Sequence, residues 1–310
     1  MTLRSYLYAP GNRPELFDKA LRSGADGVIL DLEDSVLAAE KAVALQHVVD
    51  FLSEHDPEMA EVEVWVRVNN QPGLLEEELT AVAGLERLSG ITFPKVENRD
   101  AIDLKSQLLG DAAGVTALIE SAAGVMAAAE IASHPKVHRL GLGEADLIAD
   151  LRMSPSPGRH ELTPIRVSLV VASTAARIEQ PIGPAFVDID DEQGLARSTE
   201  ELRRLGFGGR SAIHPRQVEV INRAFTPGQH DVEQAADLVR SLEEATRQGT
   251  AVFVDAQGRM IDEAVVRSAR QILEVATRLG MLDGGDPDTD PAEHDGSTAE
   301  TNLGQMDKSD

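Results

Sequence analysis

The sequence predicts an α/β fold, a closed (βα)8 TIM barrel with a C-terminal appendage of helices and a hairpin. Short apolar runs alternate with longer helical patterns about eight times before residue 225. Such alternation is typical of a parallel sheet, because parallel neighbours need helical crossovers. Eight units over roughly 225 residues fit a closed barrel, whose usual length is about 250 residues. The first turn, APGNRPE, lacks the glycine pattern of a doubly wound dinucleotide-binding sheet.

Eight apolar runs are the candidate strands of this barrel. Aromatic residues make up only 3% of the chain, so we expect Val, Ile, Leu and Ala to build the core. Runs of this length, bounded by turn residues, are consistent with strands buried on both faces. In chain order the candidate strands are 5–10, 27–34, 62–69, 90–97, 114–121, 138–146, 183–190 and 206–215.

Helical patterns separate the candidate strands. The first, RPELFDKALRSG, has Pro14 near its first turn and stops at Gly24, which are normal start and stop signals. We therefore predict that residues 1–228 form the barrel and carry the catalytic site. The remaining helical patterns cover residues 35–54, 74–88, 98–109, 122–134, 160–179, 191–205 and 215–224.

Two segments follow the eight units. Residues 229–282 predict an appendage, with an amphipathic helix over 231–249, a hairpin turning near 256–258 and a last helix over 263–280. Residues 283–310 contain nine acids and one Lys and few apolar side chains. Such a composition buries too little apolar surface to offset its ordering entropy, so we predict a disordered acidic tail.

Composition excludes several classes of function. The net charge of −24 argues against binding nucleic acid, because neutralising phosphates needs Lys and Arg. The chain has no Cys, which excludes a thiol nucleophile, a disulfide framework and a Cys-based zinc site. No window approaches 18 consecutive apolar residues, and the start has no secretory apolar segment. We therefore expect a cytoplasmic protein with no membrane partner.

Polar residues cluster where the candidate strands end, which is where a (βα)8 barrel carries its chemistry. An acid at this position is often only the cap or first-turn acid of the next helix. That alternative stays open for Asp34, Glu97 and Glu144. For Arg67 the alternative is an ion pair with a neighbouring acid, and for His214 it is a packing role. The residues are Glu33, Asp34, Arg67, Asn69, Lys95, Glu97, Glu120, Glu144, Asp146, Asp188 and His214.

Glu120 and Asp146 form the pair that best fits a metal ion. Ser121 can cap the next helix, which frees Glu120 to point into the barrel mouth, and the small residues of SAAG leave room beside it. Two carboxylates without Cys or clustered His favour Mg²⁺, or Mn²⁺, over zinc. Arg67 adds a planar fork for a carboxylate or an enolate oxygen. Metal and arginine together suit chemistry in which negative charge develops on oxygen.

At these residues the sequence resembles the citrate lyase beta subunit / malyl-CoA lyase family, within the HpcH/HpaI aldolase superfamily. The resemblance covers about residues 3–275. In this order and spacing the motifs are highly specific, whereas any one alone is weak. They are RSYLYAPGNRPE, GVILDLEDSV, VRVNN, FPKVE, LIESAAGV, GLGEADLIADL, GFGGRSAIHPRQV and GRMID.

The resemblance implies a (βα)8 barrel, Mg²⁺ and lyase chemistry on acyl thioesters. The family's metal ligands match Glu120 and Asp146; Glu144 is the alternative ligand, but Asp146 fits the family spacing. The family's arginine matches Arg67, and its late acid/base aspartate, supplied by a neighbouring subunit, matches Asp262. The protein is therefore expected to be a homo-oligomer, a trimer or a hexamer. Glu33 is a further candidate, either orienting Arg67 or holding a metal-bound water.

The implied function is a Mg²⁺-dependent carbon–carbon lyase. It would cleave a β-hydroxyacyl-CoA, such as malyl-CoA or citramalyl-CoA, into a 2-oxo acid and acetyl-CoA, or form the ester from these two compounds. Arg67 and Glu120 would bind the substrate, and Arg67, Asp262 and Glu33 would carry the catalysis. Three alternatives stay open: a citrate lyase beta subunit acting on a citryl-acyl-carrier protein, a malyl-CoA thioesterase, and a non-catalytic barrel scaffold.

Overall fold

The computed structural model describes residues 4–54, 62–109, 114–250, 253–254 and 260–282. In these residues eight parallel strands close into a barrel in chain order, and the first strand pairs with both the second and the eighth. The predicted TIM-barrel fold is confirmed. The predicted tail over 283–310 lies outside the described residues. The strands are β1 Ser5–Pro10, β2 Gly27–Asp31, β3 Glu63–Arg67, β4 Leu88–Phe93, β5 Gly114–Ile119, β6 Val137–Leu142, β7 Glu179–Gly183 and β8 Gly209–Ala212.

Helices follow the strands and cover the outside of the barrel. Short 3-10 turns at Pro14–Leu16, Ala38–Glu40 and His160–Leu162 precede three of them. The helices of the first compact unit are α1 Phe17–Leu21, α2 Lys41–Ser53, α3 Leu74–Val82, α4 Asp100–Ser106, α5 Ala122–Ala132, α6 Glu144–Asp150, α7 Thr163–Ala176, α8 Glu192–Leu205 and α9 Pro215–Phe225.

Alternate strand residues point into the barrel and form two layers of different chemistry. The lower layer is an apolar cluster, in which the rings of Tyr6 and Trp65 meet edge to face with centroids 6.2 Å apart. Two positions further along the same strands come Tyr8, Asp31 and Arg67, which line a cavity. The barrel is thus filled at one end and open and polar at the other. The lower cluster consists of Tyr6, Ile29, Trp65 and Ile182.

Several predicted strand bounds differ from the structure, among them those of the seventh and sixth strands. The seventh strand is predicted over 183–190 but runs Glu179–Gly183, because Arg177 takes a left-handed conformation (φ 59°) that ends α7 early. Asp188 therefore lies exposed in the following loop and is not a strand-end residue. The sixth strand is predicted to residue 146 but ends at Leu142, and α6 begins at Glu144.

The chain divides into two compact units, Met1–Gln234 and Ala235–Asp310. The division falls within helix α10, Gln229–Arg247, whereas the predicted limit of the barrel is residue 228. In the second unit, the two-residue strands β9 Phe253–Val254 and β10 Met260–Ile261 pair antiparallel, and helix α11 covers Glu263–Arg278. The predicted hairpin turn near 256–258 lies outside the described residues.

The second unit has its own small apolar core, which includes Leu242, Ile261 and Val266. Over the described ranges, no helix combines the length and apolar character that crossing a bilayer requires.

Candidate active site

Arg67 is fixed at the open end of the barrel by Asp31. The two residues are direct neighbours in the β2–β3 register, and both point inward. Nε and Nη2 of Arg67 donate to the two carboxylate oxygens of Asp31 at 2.7 and 2.8 Å. Burial alone would raise the pKa of Asp31, but the hydrogen bonds from Arg67 outweigh it and hold that pKa below its usual value. A bidentate pair of this kind fixes the plane of the guanidinium.

Asp31 is itself held by the chain that follows it. Its oxygens accept the backbone N–H groups of Glu33 at 2.9 Å and Ser35 at 3.1 Å. On the other side, the Arg67 guanidinium carbon lies 4.9 Å from the centre of the Tyr8 ring. The arginine is therefore pre-positioned before any ligand arrives.

Glu33 links Arg67 to Lys95, which follows the end of β4. Its Oε2 lies 3.2 Å from Nη1 of Arg67, and its Oε1 lies 2.5 Å from Nζ of Lys95. Burial raises the pKa of Glu33 despite these two cations. The expectation that Glu33 orients Arg67 is consistent with this contact, although Asp31 makes the shorter and bidentate one.

Glu120 is buried directly after β5, with its carboxylate at the cavity wall. Its Oε1 accepts the backbone N–H of Lys95 at 2.7 Å, and Lys95 takes a left-handed backbone (φ 52°) at this point. Ser121 caps α5 by accepting the N–H of Gly124 at 3.2 Å, so Glu120 is not used as the cap. Burial, with Glu33 and Asp146 nearby, raises the pKa of Glu120 to about 8.

The two acids of α6 have different surroundings. Both oxygens of Glu144 are occupied, by Nε of Arg166 at 2.8 Å and by Nη1 of Arg159 at 2.9 Å. Asp146 is exposed, and its carboxylate makes no hydrogen bond or ion pair with any residue that the structure describes. Of the two candidates, Asp146 is thus the acid with free oxygens near Glu120.

Arg67, Glu120, Glu144 and Asp146 line one cavity of about 410 Å³, a volume suited to a small ligand, whereas Glu33 and Lys95 do not line it. Within the described ranges, no group of three or more His, Asp or Glu forms a ready metal cage. Mg²⁺ usually takes one or two carboxylates and completes its shell with water and substrate oxygens, so a two-carboxylate donor set fits that ion. The lining residues include Tyr8, Asp31, Arg67, Leu118, Glu120, Leu142, Gly143, Glu144, Asp146, Arg159, Pro184 and Val187.

Other predicted strand-end residues have structural surroundings. Nδ1 of His214 accepts the N–H of Arg216 at 3.2 Å and so caps α9. Asn69 is buried, and its backbone N–H and amide side chain both donate to Glu78. Glu97 is exposed and does not line the cavity.

Asp262 lies in the second compact unit. It caps α11 by accepting the N–H of Val265 at 3.1 Å, and it is exposed. A role in a neighbouring subunit's site stays a prediction.

Sequence reasoning missed two residues of the cavity, Asp31 and Arg159. Asp31 was hidden inside a predicted strand, although the period-2 pattern of β2 places it on the same face as Ile29. Arg159 lies in the loop between α6 and α7, where no periodicity reports which way a side chain points.

Comparison with known families gives one consistent assignment. The model of the HpcH/HpaI aldolase/citrate lyase family matches residues 4–215. A citrate lyase subunit beta from Haemophilus influenzae is 33% identical over 287 residues, which cover 88% of this chain and 96% of that protein. A (3S)-malyl-CoA thioesterase from Cereibacter sphaeroides is 33% identical over 288 residues, covering 90% and 96%.

Solved structures agree in fold. CitE from Mycobacterium tuberculosis, crystallised with magnesium, acetoacetate and coenzyme A, is 30% identical with a TM-score of 0.72, covering 88% of this chain and 98% of that one. A citrate lyase beta subunit from the same organism, complexed with oxaloacetate and magnesium, is 32% identical with a TM-score of 0.62, covering 72% and 96%.

Proposed function

The chain belongs to the HpcH/HpaI aldolase/citrate lyase family, and on that premise we propose that it is a Mg²⁺-dependent carbon–carbon lyase. Its substrate is a β-hydroxyacyl thioester such as malyl-CoA or citramalyl-CoA, and its products are a 2-oxo acid and acetyl-CoA. The observation that carries this proposal is that Glu120, Asp146 and the fixed guanidinium of Arg67 line one cavity.

Glu120 and Asp146 would hold the metal ion. Burial, and then the negative charge of Glu33, raises the pKa of the Glu120 carboxylate, and Asp146 has free oxygens. Bound Mg²⁺ would supply positive charge to the carboxylate and hydroxyl oxygens of the substrate's acid end. Glu144 is not needed for this role, because two arginines already occupy it.

Arg67 stabilises the charge that the reaction creates. Asp262 of a neighbouring subunit takes the hydroxyl proton of the substrate, and the carbon–carbon bond breaks as the carbonyl of the 2-oxo acid forms. The electrons of the broken bond pass to the thioester group, whose oxygen carries the enolate charge. A preorganised guanidinium beside that oxygen lowers the barrier, and losing one such donor typically slows a reaction about 10²–10³-fold. Asp262 of a neighbouring subunit then protonates the enolate carbon, which requires a homo-oligomer, a trimer or a hexamer.

The relatives support different substrates. Solved relatives bind magnesium with coenzyme A and acetoacetate, or with oxaloacetate, which supports a CoA ester and a 2-oxo acid as ligands of this chain. The thioesterase relative supports hydrolysis of malyl-CoA as a second candidate, because the same cavity can present water to the thioester. The relatives named citrate lyase subunit beta support a citryl thioester as a third candidate substrate, which the family resemblance places on an acyl-carrier protein.

The test is to incubate the full chain with Mg²⁺ and malyl-CoA, citramalyl-CoA or related esters, and to follow 2-oxo acid and free CoA separately. We expect 2-oxo acid release that EDTA abolishes. Free CoA without 2-oxo acid would identify a thioesterase instead. No product from any ester would contradict the proposal and favour a carrier-protein substrate or a barrel without activity.

A further inference from the structure

Lys95 contacts both halves of the candidate site, although it does not line the reaction cavity. Its backbone N–H donates to Oε1 of Glu120 at 2.7 Å, and its Nζ donates to Oε1 of Glu33 at 2.5 Å. Glu120 is the proposed metal ligand, and Glu33 lies against Arg67. One residue therefore positions a carboxylate in each half, and the reaction proposed above gives it no role.

The backbone of Lys95 allows it to make both contacts. Its φ of 52° lies in the left-handed region, which residues other than glycine rarely adopt. Its N–H reaches Glu120, and the N–H of the next residue, Val96, donates to the carbonyl of Leu118 at 3.2 Å. Both amides thus bind to the end of β5, and the side chain extends to Glu33. Glycine would take this conformation more readily, so the backbone contacts alone give no reason for a lysine here.

Arg67 keeps one nitrogen for a ligand. Its Nε and Nη2 donate to Asp31. Its Nη1 lies 3.2 Å from Oε2 of Glu33, but this ion pair lacks the geometry of a hydrogen bond, and Nη1 makes no other hydrogen bond with a residue that the structure describes. Because Nη1 carries two N–H groups, it is the nitrogen of Arg67 that can donate to the enolate oxygen.

Glu33 is a competitor for that nitrogen. Its carboxylate is buried, and its Oε2 has no hydrogen-bond partner in the described part of the chain. A buried carboxylate oxygen gains stability from a hydrogen bond, and Nη1 of Arg67 is near enough to supply one. The carboxylate is restrained by Lys95, whose bond to Oε1 is the one hydrogen bond that this group makes within the described ranges. Without the ammonium, Glu33 would turn to Arg67 and occupy Nη1.

We propose that Lys95 is a positioning residue, whose ammonium holds the carboxylate of Glu33 away from Arg67 and so keeps Nη1 free for the thioester oxygen. This inference rests on the proposed function, in which that oxygen carries the enolate charge. The side chain acts through Glu33, whereas the backbone N–H fixes Glu120 whatever side chain the residue carries. Loss of the side chain therefore slows the reaction and leaves the Mg²⁺ site intact.

Three substitutions separate the ammonium from the rest of the residue. Lys95→Met keeps the bulk and removes the charge, and Lys95→Gly removes the side chain and keeps the N–H. Lys95→Arg keeps a cation, and arginine adopts the left-handed backbone elsewhere in this chain, at Arg152, Arg159 and Arg177. For each variant of the full chain, kcat and KM are measured with the best ester, Mg²⁺ affinity by calorimetry and folding by thermal unfolding.

Added butylammonium provides a chemical rescue. The side chain of Lys95 is 42% exposed and lines a second cavity of about 470 Å³, so a small amine can enter the space that Lys95→Gly leaves. Lys95→Met is the matched control, because its own side chain fills that space. A residue that serves only stability would not be replaced by a free ammonium ion.

We expect kcat to fall about 10- to 100-fold in Lys95→Met and Lys95→Gly, because a donor to a developing oxyanion is engaged elsewhere. KM and Mg²⁺ affinity should change by less than about threefold, and Lys95→Arg should keep most of the rate. Butylammonium should raise kcat of Lys95→Gly about tenfold and leave Lys95→Met unchanged. Unchanged kcat in Lys95→Met, a parallel loss of Mg²⁺ affinity, or the absence of rescue would overturn the inference.

A crystal structure of Lys95→Met gives a readout that does not depend on activity. We expect an oxygen of Glu33 to accept a hydrogen bond from Nη1 of Arg67 at about 2.8 Å. A Glu33 carboxylate that keeps its present position would overturn the inference. If the wild type releases no 2-oxo acid from any ester, the proposed function fails, and this structure still decides whether Lys95 holds Glu33 away from Arg67.

Discussion

Replacing Asp31 with Asn should disable Arg67 without removing it. Asn keeps the shape of Asp31 but has one acceptor oxygen and turns an N–H₂ group towards the guanidinium. The change removes a charge-assisted bond of 2.7–2.8 Å between buried partners, which stabilises a protein by about 1.5–3 kcal/mol. Because Glu33 stays within 3.2 Å, Arg67 is not left as an unpaired buried charge, and we expect a loss of about 2 kcal/mol in unfolding free energy.

The same change should lower the catalytic rate. Complete loss of a donor to a developing oxyanion slows reactions about 10²–10³-fold, and a displaced donor should slow this one about 10–10²-fold in kcat. KM should change much less, because Arg67 acts on charge that appears only in the transition state. The assay is steady-state release of 2-oxo acid from the best ester, alongside urea unfolding followed by circular dichroism.

Asp26→Asn is the matched control for this prediction. Asp26 holds Arg4 through the same two-pronged geometry, at 2.7 and 2.8 Å, at the opposite end of the barrel. Asp26→Asn should lower the free energy of unfolding by no more than Asp31→Asn does, because the Arg4–Asp26 pair is more exposed than the Arg67–Asp31 pair. It should leave kcat unchanged. The reasoning is refuted if both variants slow the reaction equally, or if Asp31→Asn loses stability and keeps its rate.

Acidity gives a further check on Asp31. Its pKa lies below the usual value in the folded protein, so its ionised form favours folding above the unfolded-state pKa, near 4. This contribution disappears as the pH falls through the folded-state pKa. The difference in stability between the wild type and Asp31→Asn should therefore be largest at neutral pH and should shrink below about pH 4.

Three further predictions concern the carboxylates. Because the pKa of Glu120 is about 8 without metal, protons compete with Mg²⁺ for its carboxylate. The affinity of the protein for Mg²⁺, measured by calorimetry, should therefore rise up to tenfold per pH unit from pH 6 to 8 and then level off. An affinity that does not change with pH would contradict this prediction. Glu120→Gln should abolish Mg²⁺ binding. Glu144→Gln should keep Mg²⁺ binding but lower the free energy of unfolding, measured with urea, by about 2–4 kcal/mol, because Glu144 pairs with two arginines. The reverse pattern would mean that Glu144 holds the metal and Glu120 is structural. Gly143→Ala should weaken Mg²⁺ binding about tenfold, because the Cβ of the new alanine would lie 2.5 Å from Oε2 of Glu120 and displace that carboxylate. Unchanged binding would show that the carboxylate can move aside without losing the metal.

The barrel was predictable because its signals are local and repeated. Each strand is a short apolar run bounded by turn residues, and an error of a few residues in a predicted strand end does not change the topology. The seventh strand was misplaced because PIGPAFV is apolar almost throughout, so hydrophobicity did not locate the strand within it. A left-handed arginine, Arg177, ended the preceding helix, and only glycine or asparagine would have been read as such a stop.

The candidate site was predictable where a residue follows a strand and unpredictable where it lies elsewhere. Glu120 and Arg67 lie at strand ends, and Asp146 lies in the first turn of the helix that follows β6, so fold topology alone brings them to one cavity. Asp31 required strand register, which pairs it directly with Arg67 and which the sequence specifies only once the partner strand is aligned.

Arg159 illustrates a harder limit. Its direction depends on a turn from Ser156, on a left-handed backbone angle and on the carboxylate of Glu144 in a different element. None of these is encoded by periodicity, and glycine rather than arginine is the usual sign of that backbone angle. Loops of this kind vary more freely than barrel strands, because few buried contacts constrain them. If substrate preference within the family resides in such loops, then the strand-end residues can remain similar while the acid that is released changes.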